Sequence, residues 1–244
     1  MKKSVFGKCH ICGFHKKLTA DHVPNQRSFN SDKYVSEPND EGFKQIMQGG
    51  IKYQSLCDNC NNNMGSWYAD SYTEFVKQAH RQGNINDCEL ELRHGFVEIY
   101  PLRVIKQIIT AFFSFNSIDW CDIYRADFID FLMDKEKIGI DDKKYRIGIV
   151  LLAGNQHYTG GLSEEFVGID GKTYIARICT AILHFPIGIV LEHGKRGKDF
   201  INIGADITMF ANSVSYNDKM KVELILPVYD VLTFEKMLKS ELEK

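Results

Sequence analysis

An α+β protein in two parts is what this sequence predicts: a small metal-braced unit over residues 1–82 and a larger mixed α/β domain over residues 83–244. Three observations carry that expectation. Four of the seven cysteines fall in two C-x-x-C pairs, Cys9/Cys12 and Cys57/Cys60, a spacing that a chain without an export signal uses for metal more often than for disulfides. The composition changes near Gly83-Asn84. Beyond that point two helix-like stretches precede a run of strand-like segments and a closing helix, an order that suits an α+β domain.

With 244 residues, 44% of them apolar and 25% charged, the chain is long enough for one large domain or for a small one plus a medium one. The start, MKKSVFGKCH, has no apolar run behind its lysines, and no window reaches the roughly 18 apolar residues of a membrane span. A cytoplasmic location without a membrane partner is therefore expected. A net charge of −2 excludes a uniformly basic nucleic-acid binder but leaves room for local basic patches, and residues 1–80 carry a slight excess of Lys and Arg. Outside the two pairs, Cys88, Cys121 and Cys179 read as reduced, largely buried thiols.

Each C-x-x-C pair can present two thiolates from a tight turn, and together they suit a tetrahedral zinc site; two unrelated thiol pairs or a redox dithiol are the alternatives. His10 and His15 are near enough to be ligands, but four sulfurs already close such a site. Residues 30–50 are polar, rich in turn formers and end in Gly-Gly, so a long irregular excursion is expected there. After Cys60, Trp67, Tyr68, Tyr72, Phe75, Val76 and Ala79 recur at helical spacing until Gly83, a stripe read as a core face rather than a base-stacking platform.

In the second part, ELELRHGFVEIY suggests a pair of short strands. PLRVIKQIITAFFSF reads as a helix with Pro101 in its first turn, and DIYRADFIDFLMDKE repeats the pattern. YRIGIVLLA, TYIARICTAILHF, IGIVLEH, FINIG and KVELILP read as strands whose order the pattern does not give, and VLTFEKMLKSELEK as a last amphipathic helix. The Gly-containing NQHYTGGL matches no phosphate-binding fingerprint, and the sequence names no partner for His157 or Tyr158. In EHGKRGKDF, Lys195, Arg196 and Lys198 sit on a turn that could grip a phosphate backbone, although a solvated hairpin tip is the commoner use of such a turn.

Zinc held by four thiolates has no open position, so any reaction must lie elsewhere. Asp21-His22, between the cysteine pairs, and Asn61, directly after the last cysteine, are the candidates. A carboxylate and a side-chain amide oxygen are hard ligands suited to magnesium or manganese, and a neutral imidazole beside them can take a proton from water near neutral pH. The blander reading has Asp21 capping a turn and His22 packed under the zinc knuckle.

The series Cys9-His-Ile-Cys12, Asp21-His22-Val-Pro24 and Leu56-Cys57-Asp-Asn-Cys60-Asn61, with Gly65 following, resembles the HNH (His-Me finger) endonucleases of the four-cysteine, zinc-containing type, including phage-encoded enzymes that resolve branched DNA. The DHVPNQRSF wording is similar to an E/D-H-V-P-P-K-x-L-F stretch in bacterial HNH proteins often found in phage-defence settings. The resemblance covers about the first third of the chain. It implies a ββα-metal finger, in which a hairpin and a helix clasp one catalytic magnesium or manganese and four cysteines brace it with structural zinc. Asp21 matches the metal-binding acid, His22 the general base, Asn61 the second metal ligand and Pro24 a proline common after the histidine.

The activity so implied is phosphodiester hydrolysis in nucleic acid, with DNA favoured over RNA, in an anti-phage setting. The larger domain would then select substrate, form a homodimer or meet a defence-system partner protein. Many HNH proteins orient the histidine with an asparagine shortly before the third cysteine. Here that phrase is IKYQSLC, with Lys52 near the place, so Tyr53, Gln54 or a backbone carbonyl would orient His22; Lys52 is also a candidate nucleic-acid contact. A zinc-braced nucleic-acid- or protein-binding module without catalysis is the alternative.

Overall fold

Two strands flank the first C-x-x-C turn: β1 (Val5–Lys8) and β2 (His15–His22) pair in antiparallel fashion, with Val5 opposite Leu18. The computed structural model describes residues 4–36, 45–83, 92–154, 157–167, 173–194, 200 and 202–230. Within the 30–50 stretch, expected to be irregular, lies a short antiparallel ribbon of β3 (Tyr34–Ser36) and β4 (Gln45–Met47). Its β-forming Tyr34, Val35 and Ile46 are diluted in sequence by the polar residues around them, which hides the pairing. The chain then returns as β5 (Lys52–Cys57) beside β2 and leads directly into α1 (Asp58–Met64).

The pairing of β2 with β5 is interrupted once. Thr19 lies opposite Leu56 and Ala20 opposite Gln54, so Ser55 is the extra residue of a bulge. Its carbonyl accepts the His10 N–H at 3.0 Å, tying the bulge to the first cysteine turn. After α1 a wider, π-type turn (Gly65–Ala69) passes into α2 (Asp70–Gly83). The aromatic stripe is a core face: Tyr68, Tyr72, Phe75, Val76 and Ala79 are buried and Trp67 packs partly against them.

Beyond residue 91 comes β6 (Leu92–Ile99), a single strand among the described residues of the stretch where a pair was expected, whose first three residues lie outside the described ones. It is followed by α3 (Pro101–Phe115), with Pro101 in its first turn, and α4 (Ile118–Met133), capped by Ser117, whose hydroxyl accepts the Trp120 N–H. Five strands complete the sheet: β7 (Tyr145–Leu152), β8 (His157–Val167), β9 (Thr173–His184), β10 (Ile187–His193) and, after the two-residue β11 (Ala205–Asp206) and the short α5 (Phe210–Ser213), β12 (Met220–Tyr229). Among the described residues the large sheet has the order β6-β12-β7-β10-β9-β8, with β11 also on β7. β8 was not anticipated, and the strand expected at FINIG is not formed by its described residues, which lie just before β11. The basic turn with Lys195, Arg196 and Lys198, Cys88, and the closing helix expected at residues 231–244 lie outside the described residues.

α3 sits between the N-terminal unit and the large sheet, and it is buried from Pro101 to Ser114 except at Arg103. Its polar stripe of Lys106, Gln107, Thr110 and Ser114 is therefore buried along with its apolar face and needs partners inside the protein. Its buried charge is satisfied locally: Lys106 Nζ donates to the Phe131 and Asp134 carbonyls at 2.6 and 2.7 Å, and burial pulls its pKa down to about 8. One apolar cluster runs from Leu56, Met64 and Phe75 through Ile108, Phe112 and Phe128 to Ile149. No helix among the described residues is long and apolar enough to cross a membrane.

Candidate metal centre and histidine site

The two cysteine turns meet. Cys9, Cys12, Cys57 and Cys60 bring their sulfurs within 4.8 Å of one another, and Cys12 Sγ lies 3.9 Å from Cys57 Sγ. Four sulfurs bound tetrahedrally at zinc–sulfur distances of about 2.3 Å would stand about 3.8 Å apart, so the set fits such an ion. Backbone hydrogen bonds shape the first turn. The Cys9 N–H donates to the Phe14 carbonyl, and the Gly13 N–H donates to the Cys9 carbonyl at a φ of +74° that favours glycine. The Cys57 N–H points at Cys9 Sγ at 3.3 Å. A hydrogen bond from Cys60 holds the Cys9 thiol well below its ordinary range; the same bond, together with burial, pushes the Cys60 thiol up, and burial raises Cys12.

The neighbouring histidines are not needed as ligands. His10 Nδ1 is 2.9 Å from the Phe113 carbonyl at the end of α3, and His15 is exposed at the start of β2. Arg125 of α4 donates to the His10 and Ile11 carbonyls at 3.1 to 3.3 Å, so α3 and α4 both brace this turn.

Asp21 and His22 end β2, opposite Tyr53 and Lys52 of β5. Ser114 Oγ donates to Asp21 Oδ2 at 2.7 Å. Burial lifts the Asp21 pKa to about 6, against the opposing pull of Ser114 and of the His22 backbone. Asn61, in α1, donates from Nδ2 to Thr19 Oγ1 at 3.0 Å, and Thr19 in turn donates to the Leu56 carbonyl at 3.0 Å. Residues two apart on a strand share a face, so Asn61 is tied to the face of β2 that carries Asp21. With its amide nitrogen so engaged, Asn61 has its carbonyl oxygen as the group that could meet a hard cation, and the Asp21 carboxylate accepts from Ser114 and from the His22 backbone.

His22 Nε2 lies 3.0 Å from the Gly49 carbonyl. A carbonyl only accepts, so Nε2 carries the proton and Nδ1 of the neutral ring is left as the acceptor. Burial lowers the pKa of His22, the Gly49 carbonyl raises it, and the charge of Lys52 lowers it further. The group that orients the ring is thus a backbone carbonyl rather than Tyr53 or Gln54. Tyr53 instead hydrogen-bonds Thr159 at 3.1 Å, and exposed Lys52 places Nζ 3.5 Å from the Gln48 carbonyl. The Gly49 carbonyl is held by its surroundings: Gly49 and Gly50 have φ of +67° and +90°, and a Cβ on Gly50 would stand 2.1 Å from the Asn30 carbonyl oxygen. Buried Asn30 joins the two sides, donating to the Pro24 and Ile51 carbonyls at 2.7 and 3.1 Å and accepting the Ile51 N–H at 2.7 Å.

The loop after His22 also docks on the large sheet. His157 Nδ1 and His184 Nδ1 are 2.9 Å apart; His184 Nε2 lies 3.3 Å from the Phe29 carbonyl and 3.4 Å from the Tyr34 hydroxyl. Because the Phe29 carbonyl must accept, the proton order runs from His157 Nδ1–H to His184 Nδ1, then from His184 Nε2–H to Phe29. Burial lowers both rings, His157 to about 3 and His184 to about 4. His157 thus has in His184 the partner that sequence could not name. The sequence reading also missed Ser114, Thr19 and Asn30, and only the Gly-Gly pair signalled the orienting turn.

No protein-family profile matches the chain, and neither a curated protein nor a solved structure shows significant similarity to it.

Proposed function

We propose that this protein is a metal-dependent endonuclease of the HNH type that hydrolyses phosphodiester bonds in DNA, with structural zinc on Cys9, Cys12, Cys57 and Cys60. The observation that carries this reading is His22, whose Nε2 is committed to the Gly49 carbonyl and whose Nδ1 is thereby left as an acceptor at the end of the strand that also carries Asp21 and, through Thr19, holds Asn61. In the proposed reaction, a water in line with the phosphorus gives its proton to His22 Nδ1. Its oxygen bonds to phosphorus, and the bond to the 3′-oxygen breaks. Asp21 and Asn61 would hold the magnesium or manganese, which when bound supplies charge stabilisation at a phosphate oxygen and at the leaving oxygen. Exposed Lys16, Lys17 and Lys52 on the same strand pair offer positive charge to a phosphate backbone.

One observation favours a binding module without catalysis: Asp21 and Asn61 each already have a protein partner, Ser114 and Thr19, without a cation. The two readings separate when zinc-loaded wild type and His22→Ala are incubated with supercoiled plasmid, linear duplex, single-stranded DNA and RNA, each with magnesium, manganese or EDTA. Cutting of DNA by wild type alone, abolished by EDTA, is the expected result. Nucleic-acid binding without cutting in any metal would leave the binding module.

A further inference from the structure

The last turn of α3 carries two adjacent residues that each reach into the N-terminal unit. The Phe113 carbonyl accepts from the His10 ring inside the first cysteine turn, and Ser114 Oγ donates to Asp21 Oδ2 at 2.7 Å. An ionised carboxylate can only accept, so the single hydroxyl proton of Ser114 is committed to it. A polar side chain in a helix often turns back on the carbonyl four residues earlier. The neighbours Thr110 and Asn116 do so, each at 2.8 Å, to Lys106 and Phe112. Ser114 instead crosses to a strand 93 positions away in sequence, and at 1% exposure it has no solvent competing for the bond.

We propose that Ser114 is a positioning residue for the metal-binding acid: it holds Oδ2 of Asp21 and leaves Oδ1 as the oxygen for the divalent cation. The proposal rests on the nuclease reading. The last torsion of an aspartate is broad and two-fold, so an unheld carboxylate would present either oxygen over a range of angles, and the hydroxyl, together with the His22 backbone, restricts that freedom. Groups that hydrogen-bond a metal ligand typically change metal affinity by roughly 10- to 100-fold when removed. Because the same helix turn also meets the cysteine turn, α3 sets the metal-binding acid and the four-sulfur centre together.

The test is manganese binding by calorimetry to full-length, zinc-loaded protein without nucleic acid. The variants are Asp21→Asn, Ser114→Ala, Ser114→Cys and Ser114→Thr. Wild type should show a manganese site that Asp21→Asn removes. Ser114→Ala should weaken that site by roughly 10- to 100-fold, and Ser114→Thr, which keeps the hydroxyl, should restore it, with zinc content equal throughout. Ser114→Cys keeps nearly the serine shape but offers a weak donor; it should match the alanine variant, and it decides the matter if alanine does not fold. Unchanged manganese affinity in the folded alanine or cysteine variant, with Asp21→Asn still abolishing binding, overturns the role of Ser114 and leaves the nuclease reading standing. A wild type without any Asp21-dependent manganese site overturns the nuclease reading and the role of Ser114 with it.

Discussion

His22 and Gly49 are joined by a 3.0 Å hydrogen bond from ring nitrogen Nε2 to the glycine carbonyl, and that bond decides which nitrogen can act as a base. Its geometry depends on a backbone shape that only glycine adopts readily at both Gly49 and Gly50. A methyl at Gly50 would also meet the Asn30 carbonyl oxygen at 2.1 Å. Gly50→Ala should therefore displace the orienting carbonyl. A misplacement of about 1 Å in such a site can cost about 100-fold in rate, so plasmid cleavage by Gly50→Ala should fall by roughly that factor while zinc content stays unchanged. Wild-type cleavage in a folded Gly50→Ala protein would show that the turn does not orient His22.

Removing the proposed base is the more direct change. His22→Ala should lower cleavage by roughly 100- to 10,000-fold, the usual share of a positioned acid or base, with melting temperature, zinc content and DNA binding nearly unaltered. Equal rates for wild type and His22→Ala at matched zinc content would take His22 out of the mechanism.

The two proposed kinds of metal ligand should fail differently. Asn61→Ala loses one hard oxygen but keeps the charged Asp21, so raised magnesium or manganese should recover part of its activity. Cys60→Ser breaks the four-sulfur set, and because metal binding and folding are linked, it should lose zinc and melt the β2–β5 pair and α1 at a lower temperature. Extra magnesium should not rescue it. Elemental analysis that finds a full complement of zinc in Cys60→Ser would contradict the assignment of that cysteine.

The histidine pair gives stability a pH dependence whose sign follows from burial. His157 and His184 have folded pKa values near 3 and 4, below the ordinary 6.5, so the unfolded chain binds more protons between these values. Their contribution to stability is complete above pH 6.5 and is lost as pH falls toward 4 and 3, by at most about 1.4 kcal/mol per pH unit for each ring. His157→Gln removes one of the titrating rings. Its melting temperature should fall less steeply than that of wild type between pH 6.5 and pH 4 in parallel thermal scans, and identical slopes would show that His157 does not titrate with folding.

The parts of the site visible in sequence are those whose chemistry belongs to a residue type and whose partners lie at short, regular spacing. The C-x-x-C pairs pointed to a metal-binding set because thiolates three positions apart on a turn converge whatever the rest of the chain does. The stripe from Tyr68 to Ala79 announced a buried helix face because its period of 3.6 is local. The resemblance that drew attention to Asp21, His22 and Asn61 also rests on short local strings. Tertiary structure decided the rest. Every residue has a carbonyl, so the one that orients His22, that of Gly49, leaves no trace in composition beyond the glycines that permit its turn. Ser114 lies within an apolar helix, where a hydroxyl is read as a minor defect until packing of α3 against β2 and β5 sets it on Asp21. β8, with His157, was invisible because HYTGGLSEEFV has no clean alternation; it is a strand because β9 supplies the ladder. Sequence carries local period and residue chemistry, whereas a contact between distant segments depends on how close-packed elements exclude every other arrangement.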